Sequence, residues 1–103
     1  MTREMTLAID CGGGGIKGSV VDERGTMMAP PRRVPTPYPL PPELLVETVV
    51  GLARELPAAT RVTMGMPGMI RHGVVIATPH YITRDGPRSR VLPELVERWD
   101  HFD

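Results

Sequence analysis

Four consecutive glycines, Gly12 to Gly15, constrain this chain more than any other feature of its sequence. Glycine loses more backbone entropy on folding than any other residue, so such a run is typical of places where the chain needs positive φ or where another molecule approaches closely. Short apolar runs rich in Ile and Val lie on both sides, over residues 7–9 and 16–21, and they favour strands. The sequence therefore predicts a β-hairpin whose turn is the glycine run.

Charged residues at both ends of the run indicate a ligand for this turn. Successive backbone N–H groups in a glycine turn can form a nest for an anion. Asp10, at the end of the first strand, can hold a hydrated Mg²⁺ through its carboxylate, and Lys17 can offer a point charge to a phosphate oxygen. The predicted phosphate-binding residues are Asp10, Gly12, Gly13, Gly14, Gly15 and Lys17, and Asp10 is also the predicted metal ligand.

Three other interpretations of the glycine run were weighed. A plain glycine-rich hairpin without a ligand stays open. Gly13, Gly15 and Gly18 fit the dinucleotide fingerprint G-x-G-x-x-G, but that motif requires a helix directly afterwards, and residues 19–25 are typical of a strand that ends in a turn. A P-loop requires glycine directly before the lysine and Ser or Thr directly after it, and Lys17 has neither neighbour.

Length and composition limit the remaining possibilities. A chain of 103 residues forms one domain at most. Its 12 basic and 12 acidic residues give a net charge of zero, which disfavours nucleic acid as a partner. The single cysteine, Cys11, fits a reducing compartment and is interpreted as a small buried residue. Neither a signal segment nor a membrane span is evident, so we expect a cytoplasmic protein without a membrane partner.

The first half of the chain predicts a three-strand antiparallel meander followed by a helix. The third strand is predicted at Thr26–Ala29, at a sheet edge because prolines follow it. Residues 30–42 are rich in proline and are interpreted as a connector in which residues 35–42 form extended polyproline II, with a peptide ligand for an SH3-like groove as the alternative. Apolar residues at helical spacing predict a helix over Glu43–Leu56 that covers one face of the sheet.

The second half predicts a buried strand over Arg61–Met66, parallel to an earlier strand because a helix separates the two. A tight turn at Pro67-Gly68 follows, then a hairpin that turns at His72-Gly73. An irregular segment over residues 78–87 contains His80, which can contact a polar ligand. A last helix is predicted from about Leu92 to Trp99.

The run from Asp10 to Gly18 resembles the first phosphate loop of the ROK sugar kinases, within the actin/hexokinase superfamily. Its Gly-Ile-Lys-Gly ending is most similar to their polyphosphate glucokinase branch. The segment Gly65-Met66-Pro67-Gly68 looks like that family's Gly-x-Pro-Gly turn, and residues 71–75 resemble the hairpin that follows it.

The resemblance implies an α/β fold, the RNase H-like (actin-like ATPase) N-terminal subdomain, present in incomplete form over residues 1–103. It implies transfer of a phosphoryl group from ATP or polyphosphate to the 6-hydroxyl of glucose or a related hexose, with Mg²⁺ as cofactor. Gly68 and His80 would lie near the sugar, and His80 stands where the family usually has asparagine. The full-length protein would be a homodimer.

The family's catalytic base is an aspartate in an Asn-Asp-Ala segment, and residues 1–103 contain no such segment. No catalytic residue is therefore assigned, and we expect the 103-residue chain alone to show no sugar kinase activity. The family's next strand would pair beside residues 61–66, so we also expect an exposed apolar edge that promotes dimers or aggregates. The alternative function is a non-catalytic module that binds phosphate or a nucleotide.

Overall fold

The computed structural model of the protein describes residues 4–103. They form a mixed α/β structure with a four-stranded sheet of order β3-β2-β1-β4, a separate hairpin of β5 and β6, and two helices. Strand β1 is antiparallel to β2 and parallel to β4, and β2 is antiparallel to β3. The elements are β1 (Thr6–Cys11), β2 (Gly15–Val21), β3 (Arg32–Pro35), α1 (Pro42–Arg54), β4 (Arg61–Gly65), β5 (Met69–Arg71), β6 (Val74–Ala77) and α2 (Pro93–Trp99).

The predicted hairpin around the glycine run is confirmed. Side chains alternate between the two faces of a strand, so buried Ile9 of β1 and buried Ile16 of β2 lie on the face that α1 covers. Gly18 is directly opposite Ile9, and a β-carbon there would lie 3.2 Å from Leu56 Cδ1. Strand β2 continues through Gly18 to Val21. No helix follows the glycines, which excludes the dinucleotide fingerprint.

Helix α1 confirms the predicted amphipathic helix, with bounds that differ by one or two residues. Leu45 and Leu52 are buried, and Leu52 lies over Gly18 of β2. Glu43 lies in the first turn, where the helix dipole favours a negative charge. Helix α2 also forms where it was predicted. The indole N–H of Trp99 donates a 2.8 Å hydrogen bond to the carbonyl of Leu40, so α2 is fixed to the segment that leads into α1.

The position predicted for the third strand was wrong. Met27 forms only an isolated bridge with Val21, and the strand that pairs with β2 is Arg32–Pro35, inside the segment interpreted as a polyproline connector. The Asp22 carboxylate accepts hydrogen bonds from the amides of Arg24 and Thr26, which extends the turn and delays the strand. The prediction that the third strand lies at a sheet edge is confirmed. Proline is tolerated at the end of β3 because β3 is an edge strand.

Strand β4 is parallel to β1, as predicted, but the prediction that it is buried was wrong. All five of its residues are exposed, including Val62 and Met64. The reason is its place at the sheet edge: α1 packs over β2, on the other side of β1, and leaves β4 open. The hairpin of β5 and β6 is confirmed: His72 and Gly73 form its turn with φ of 52° and 79°, the backbone that a two-residue hairpin loop requires.

Buried Cys11 confirms its interpretation as a small core residue. Within residues 4–103, no helix combines the length and the apolar character that a membrane crossing needs.

Candidate functional site

The glycine run forms the turn between β1 and β2 at one end of the sheet. The amide of Gly12 donates a 2.9 Å hydrogen bond to the carbonyl of Gly15 and closes the turn. We call residues 12–15 the glycine loop. Its remaining backbone groups show how the loop is held and what it can bind.

Three consecutive carbonyls of the glycine loop accept hydrogen bonds from the rest of the protein. The hydroxyls of Tyr81 and Thr36 donate to the carbonyl of Gly12 at 2.9 and 3.0 Å. The Tyr38 hydroxyl donates to the carbonyl of Gly13 at 2.6 Å, and the Thr36 amide donates to the carbonyl of Gly14 at 3.3 Å. Each peptide plane of the loop is therefore held in one orientation.

Fixing the carbonyls also fixes the amides. In a trans peptide the C=O and the following N–H point in opposite directions, so the amides of Gly13 and Gly14 point away from the hydroxyls that hold the loop. Among residues 4–103, neither amide has a protein acceptor. Two neighbouring N–H groups without a protein acceptor are the donors that an anion nest would need.

The two tyrosines remain hydrogen-bond donors at neutral pH. Burial raises the pKa of Tyr38, and burial raises the pKa of Tyr81 further, with smaller contributions from nearby negative groups. Their rings stack edge to face, with centroids 6.4 Å apart, and Tyr81 in turn contacts Trp99 at 5.8 Å. The core therefore holds the loop in place through a chain of aromatic rings.

Sequence reasoning missed Thr36, Tyr38 and Tyr81 as parts of the site. Two of them lie in the proline-rich segment, where the hydroxyl side chains between the prolines were the available signal. The third lies 69 residues from the carbonyl that it binds, and no local pattern shows such a long-range contact.

The glycines of the loop differ in the space that is available for a side chain. A β-carbon at Gly13 would lie 2.7 Å from Pro87 Cγ, and one at Gly15 would overlap with the Arg33 guanidinium. At Gly14 a β-carbon would meet no atom within 4 Å. Packing against Pro87 therefore accounts for Gly13, whereas at Gly15 the exposed Arg33 side chain could move aside and at Gly14 the space is open. Glycine at an open position suits the close approach of another molecule.

Asp10 and Lys17 lie next to the loop on adjacent strands. They are direct partners in the register of β1 and β2, and both are exposed. Directly opposed residues have side chains on the same face of a sheet, so the carboxylate and the ammonium lie on the face opposite α1. The structure thus brings the predicted phosphate-binding residues together at one end of the sheet.

Asp10 fits the binding mode of Mg²⁺. This ion keeps several waters and binds through one or two carboxylates together with substrate phosphates. Within residues 4–103, no group of three or more His, Cys, Asp or Glu side chains could hold a metal by itself. A single exposed carboxylate beside the loop is compatible with a magnesium ion that is shared with a phosphate ligand.

The structure places the two residues predicted to lie near the sugar in different surroundings. Gly68 has a φ of +132°, and a β-carbon there would overlap with the carbonyl of Ala77. His80 lies at the glycine loop, since a β-carbon at Gly13 would be 3.1 Å from its Nδ1 atom. A role for either residue in sugar binding stays a prediction.

The four-stranded sheet, the separate hairpin and the two helices define a mixed α/β protein. The family model of the ROK family matches residues 6–97. The chain belongs to this family, which includes sugar kinases. Membership indicates sugar kinase activity or a related function and does not specify the substrate or the phosphoryl donor. No curated protein sequence matches the chain significantly.

Proposed function

We propose that residues 1–103 bind the phosphate donor of a ROK sugar kinase, which transfers a phosphoryl group from ATP or polyphosphate to the 6-hydroxyl of glucose or a related hexose. The observation that carries this proposal is the hydrogen bonding of the glycine loop: three carbonyls accept hydrogen bonds from the protein, while the amides of Gly13 and Gly14 have no acceptor among residues 4–103. Donor phosphates would accept hydrogen bonds from these two amides.

The charged groups beside the loop complete the proposed site. Lys17 would neutralise donor oxygens, and Asp10 would hold Mg²⁺ through water or directly. When bound, the ion supplies neutralisation of charge on the phosphates. Phosphoryl transfer depends mainly on positioning and charge stabilisation, and a loop fixed by three hydroxyls provides the positioning.

We further propose that the RNase H-like subdomain is the architecture that carries this site, with the Pro67-Gly68 turn and His80 near the sugar. Residues 1–103 contain no asparagine and hence no Asn-Asp-Ala segment. They would therefore bind the donor without transferring it, because loss of a general base typically lowers a rate by about 10²- to 10⁴-fold. Cytoplasmic location and a homodimeric full-length form belong to the same proposal.

Calorimetric titration of the chain with ATP or polyphosphate in the presence of Mg²⁺ tests the donor site. Lys17→Ala removes the only lysine of the chain, and we expect it to weaken binding about tenfold, as loss of a charged hydrogen-bond partner does. Arg24→Ala is the matched control, because it removes one positive charge from the turn at the opposite end of β2. Equal affinities for both variants, or no binding by the wild type, would contradict the proposal.

A further inference from the structure

Arg33 extends the charged surface beside the glycine loop to the edge strand β3. The register pairs Arg33 with Lys17 and Lys17 with Asp10. The three residues therefore form a row across three neighbouring strands, on the face opposite α1. Directly opposed side chains on one face have β-carbons about 5 Å apart, so two positive charges lie side by side.

The guanidinium of Arg33 reaches from β3 to the rim of the glycine loop. Its Nη2 atom lies 3.4 Å from the carbonyl oxygen of Gly14, and the guanidinium occupies the space that a side chain at Gly15 would need. Arg33 therefore contacts the residue whose amide has no acceptor among residues 4–103.

Lys17 has the acidic residue Asp10 directly opposite it on β1, whereas Arg33, on the edge strand, has no acidic partner in the register. Among residues 4–103, no ion pair involves Lys17 or Arg33. Like charges placed directly opposite each other destabilise a sheet. A ligand with several negative charges would remove that repulsion, and a planar guanidinium is suited to bidentate contact with phosphate.

We propose that Arg33 is a second donor-phosphate ligand, so that the site binds two phosphates of one chain at the same time. One phosphate contacts the loop amides and Lys17, and a further phosphate contacts Arg33. This inference rests on the proposed donor site. It predicts that the site binds ligands with linked phosphates more tightly than a single phosphate.

Titration with inorganic tripolyphosphate and, separately, with orthophosphate tests this assignment. We expect Arg33→Ala to weaken tripolyphosphate binding about tenfold and to leave orthophosphate binding within about twofold. Arg32→Ala is the matched control: Arg32 is exposed and adjacent, but it pairs with Gly18 and lies on the other face of the sheet. We expect it to bind both anions like the wild type.

The salt dependence separates a direct contact from a distorted loop. Loss of one cation–phosphate contact lowers the slope of log K against log salt concentration, because salt screens the attraction between exposed charges. Equal behaviour of Arg33→Ala and Arg32→Ala would overturn the assignment, and so would an equal loss for both anions with an unchanged slope. If Arg33→Ala behaves like Arg32→Ala while Lys17→Ala weakens binding, only the role of Arg33 is contradicted. If the wild type binds neither anion, the proposed donor site is contradicted as well.

Discussion

The Tyr38 hydroxyl donates a 2.6 Å hydrogen bond to the carbonyl oxygen of Gly13, which lies 25 residues earlier in the chain. This bond joins the proline-rich segment to the glycine loop. Tyr81 donates to the neighbouring carbonyl of Gly12, so two tyrosines in edge-to-face contact orient successive peptide planes. The direction of the loop amides is therefore set by residues outside the hairpin.

Tyr38→Phe tests whether this orientation matters for binding. The substitution keeps the ring but removes the one hydroxyl that, within residues 4–103, donates to the carbonyl of Gly13. The peptide between Gly13 and Gly14 then loses the hydrogen bond that holds its orientation. We expect tripolyphosphate to bind several-fold more weakly and the free energy of unfolding to fall by about 1 kcal/mol, the usual net value of one hydrogen bond. Calorimetric titration and urea unfolding measure the two effects.

Tyr81→Phe is the matched control for this change. It also removes one hydroxyl, but the carbonyl of Gly12 keeps its 3.0 Å hydrogen bond from Thr36. We expect a smaller effect on binding than for Tyr38→Phe. Wild-type affinity in the Tyr38→Phe variant would show that the loop holds its orientation without the hydroxyl.

Alanine substitutions at Gly14 and Gly13 should distinguish a glycine that is needed for ligand binding from one that is needed for packing within the protein. Gly14→Ala places a methyl group in open space, so we expect the free energy of unfolding to change by less than about 1 kcal/mol, since surface substitutions rarely do more. The same methyl group would stand beside the Gly14 amide, and we expect weaker tripolyphosphate binding in calorimetry.

Gly13→Ala supplies the contrast. Its methyl group would lie 2.7 Å from Pro87 and 3.1 Å from His80, so the irregular segment must move, and we expect a loss of about 1–3 kcal/mol from overpacking. Chemical unfolding measures both variants. An unstable Gly14→Ala variant, or one with wild-type affinity, would contradict the view that position 14 is kept open for a ligand.

Cys11 makes the stability of the fold sensitive to alkaline pH. Burial, with a further contribution from Asp10, raises the pKa of its thiol from 9.0 to about 11. The unfolded chain therefore loses this proton at lower pH than the folded chain does. Below pH 9.0 the protonated thiol makes its full contribution to the free energy of unfolding. This contribution is on the order of 2 kcal/mol and is lost as the pH rises to about 11.

Cys11→Ala isolates this contribution, because Tyr38 and Tyr81 also ionise in alkaline solution and remain in both proteins. We expect the difference in unfolding free energy between wild type and variant to be constant at neutral pH and to shrink between pH 9.0 and about 11. Urea unfolding across this range measures it. A difference that does not change with pH would mean that the thiol is not protected from ionisation.

The sequence predicted those parts of the fold that depend on local pattern. The glycine run between two apolar strands, the apolar spacing of α1 and the His72-Gly73 turn each contain their own signal. The third strand was misplaced because the Asp22 carboxylate holds two later amides, and β4 was called buried because Val62 and Met64 are apolar. Whether a strand lies at an edge depends on the whole sheet, and it cannot be predicted from the residues of that strand alone.

The same limit applies to the site. Asp10, Lys17 and the glycines lie on one hairpin and could be grouped from sequence. Arg33 and Tyr38 reach the loop only because β3 pairs with β2, and Tyr81 because the aromatic rings pack together. Long-range pairing therefore supplied the residues that hold the loop and a second positive charge beside it.

The exposed edge of β4 should make the 103-residue chain associate. Val62 and Met64 are 61% and 44% exposed, and β4 borders a groove of about 420 Å³ that is also lined by apolar side chains of α1 and β5. Unpaired strand edges with apolar side chains template pairing with another chain. We expect the mass measured by light scattering to rise with protein concentration.

Val62→Lys should reduce this association, because a lysine on an edge strand opposes edge-to-edge pairing. Val96→Lys is the matched control, since Val96 is 43% exposed on α2 and lies outside β4. If association used the edge of β4, the first variant alone would remain monomeric at concentrations where the wild type does not. A wild-type mass that stays monomeric at every concentration, or an equal effect of both lysines, would show that β4 is not the associating edge.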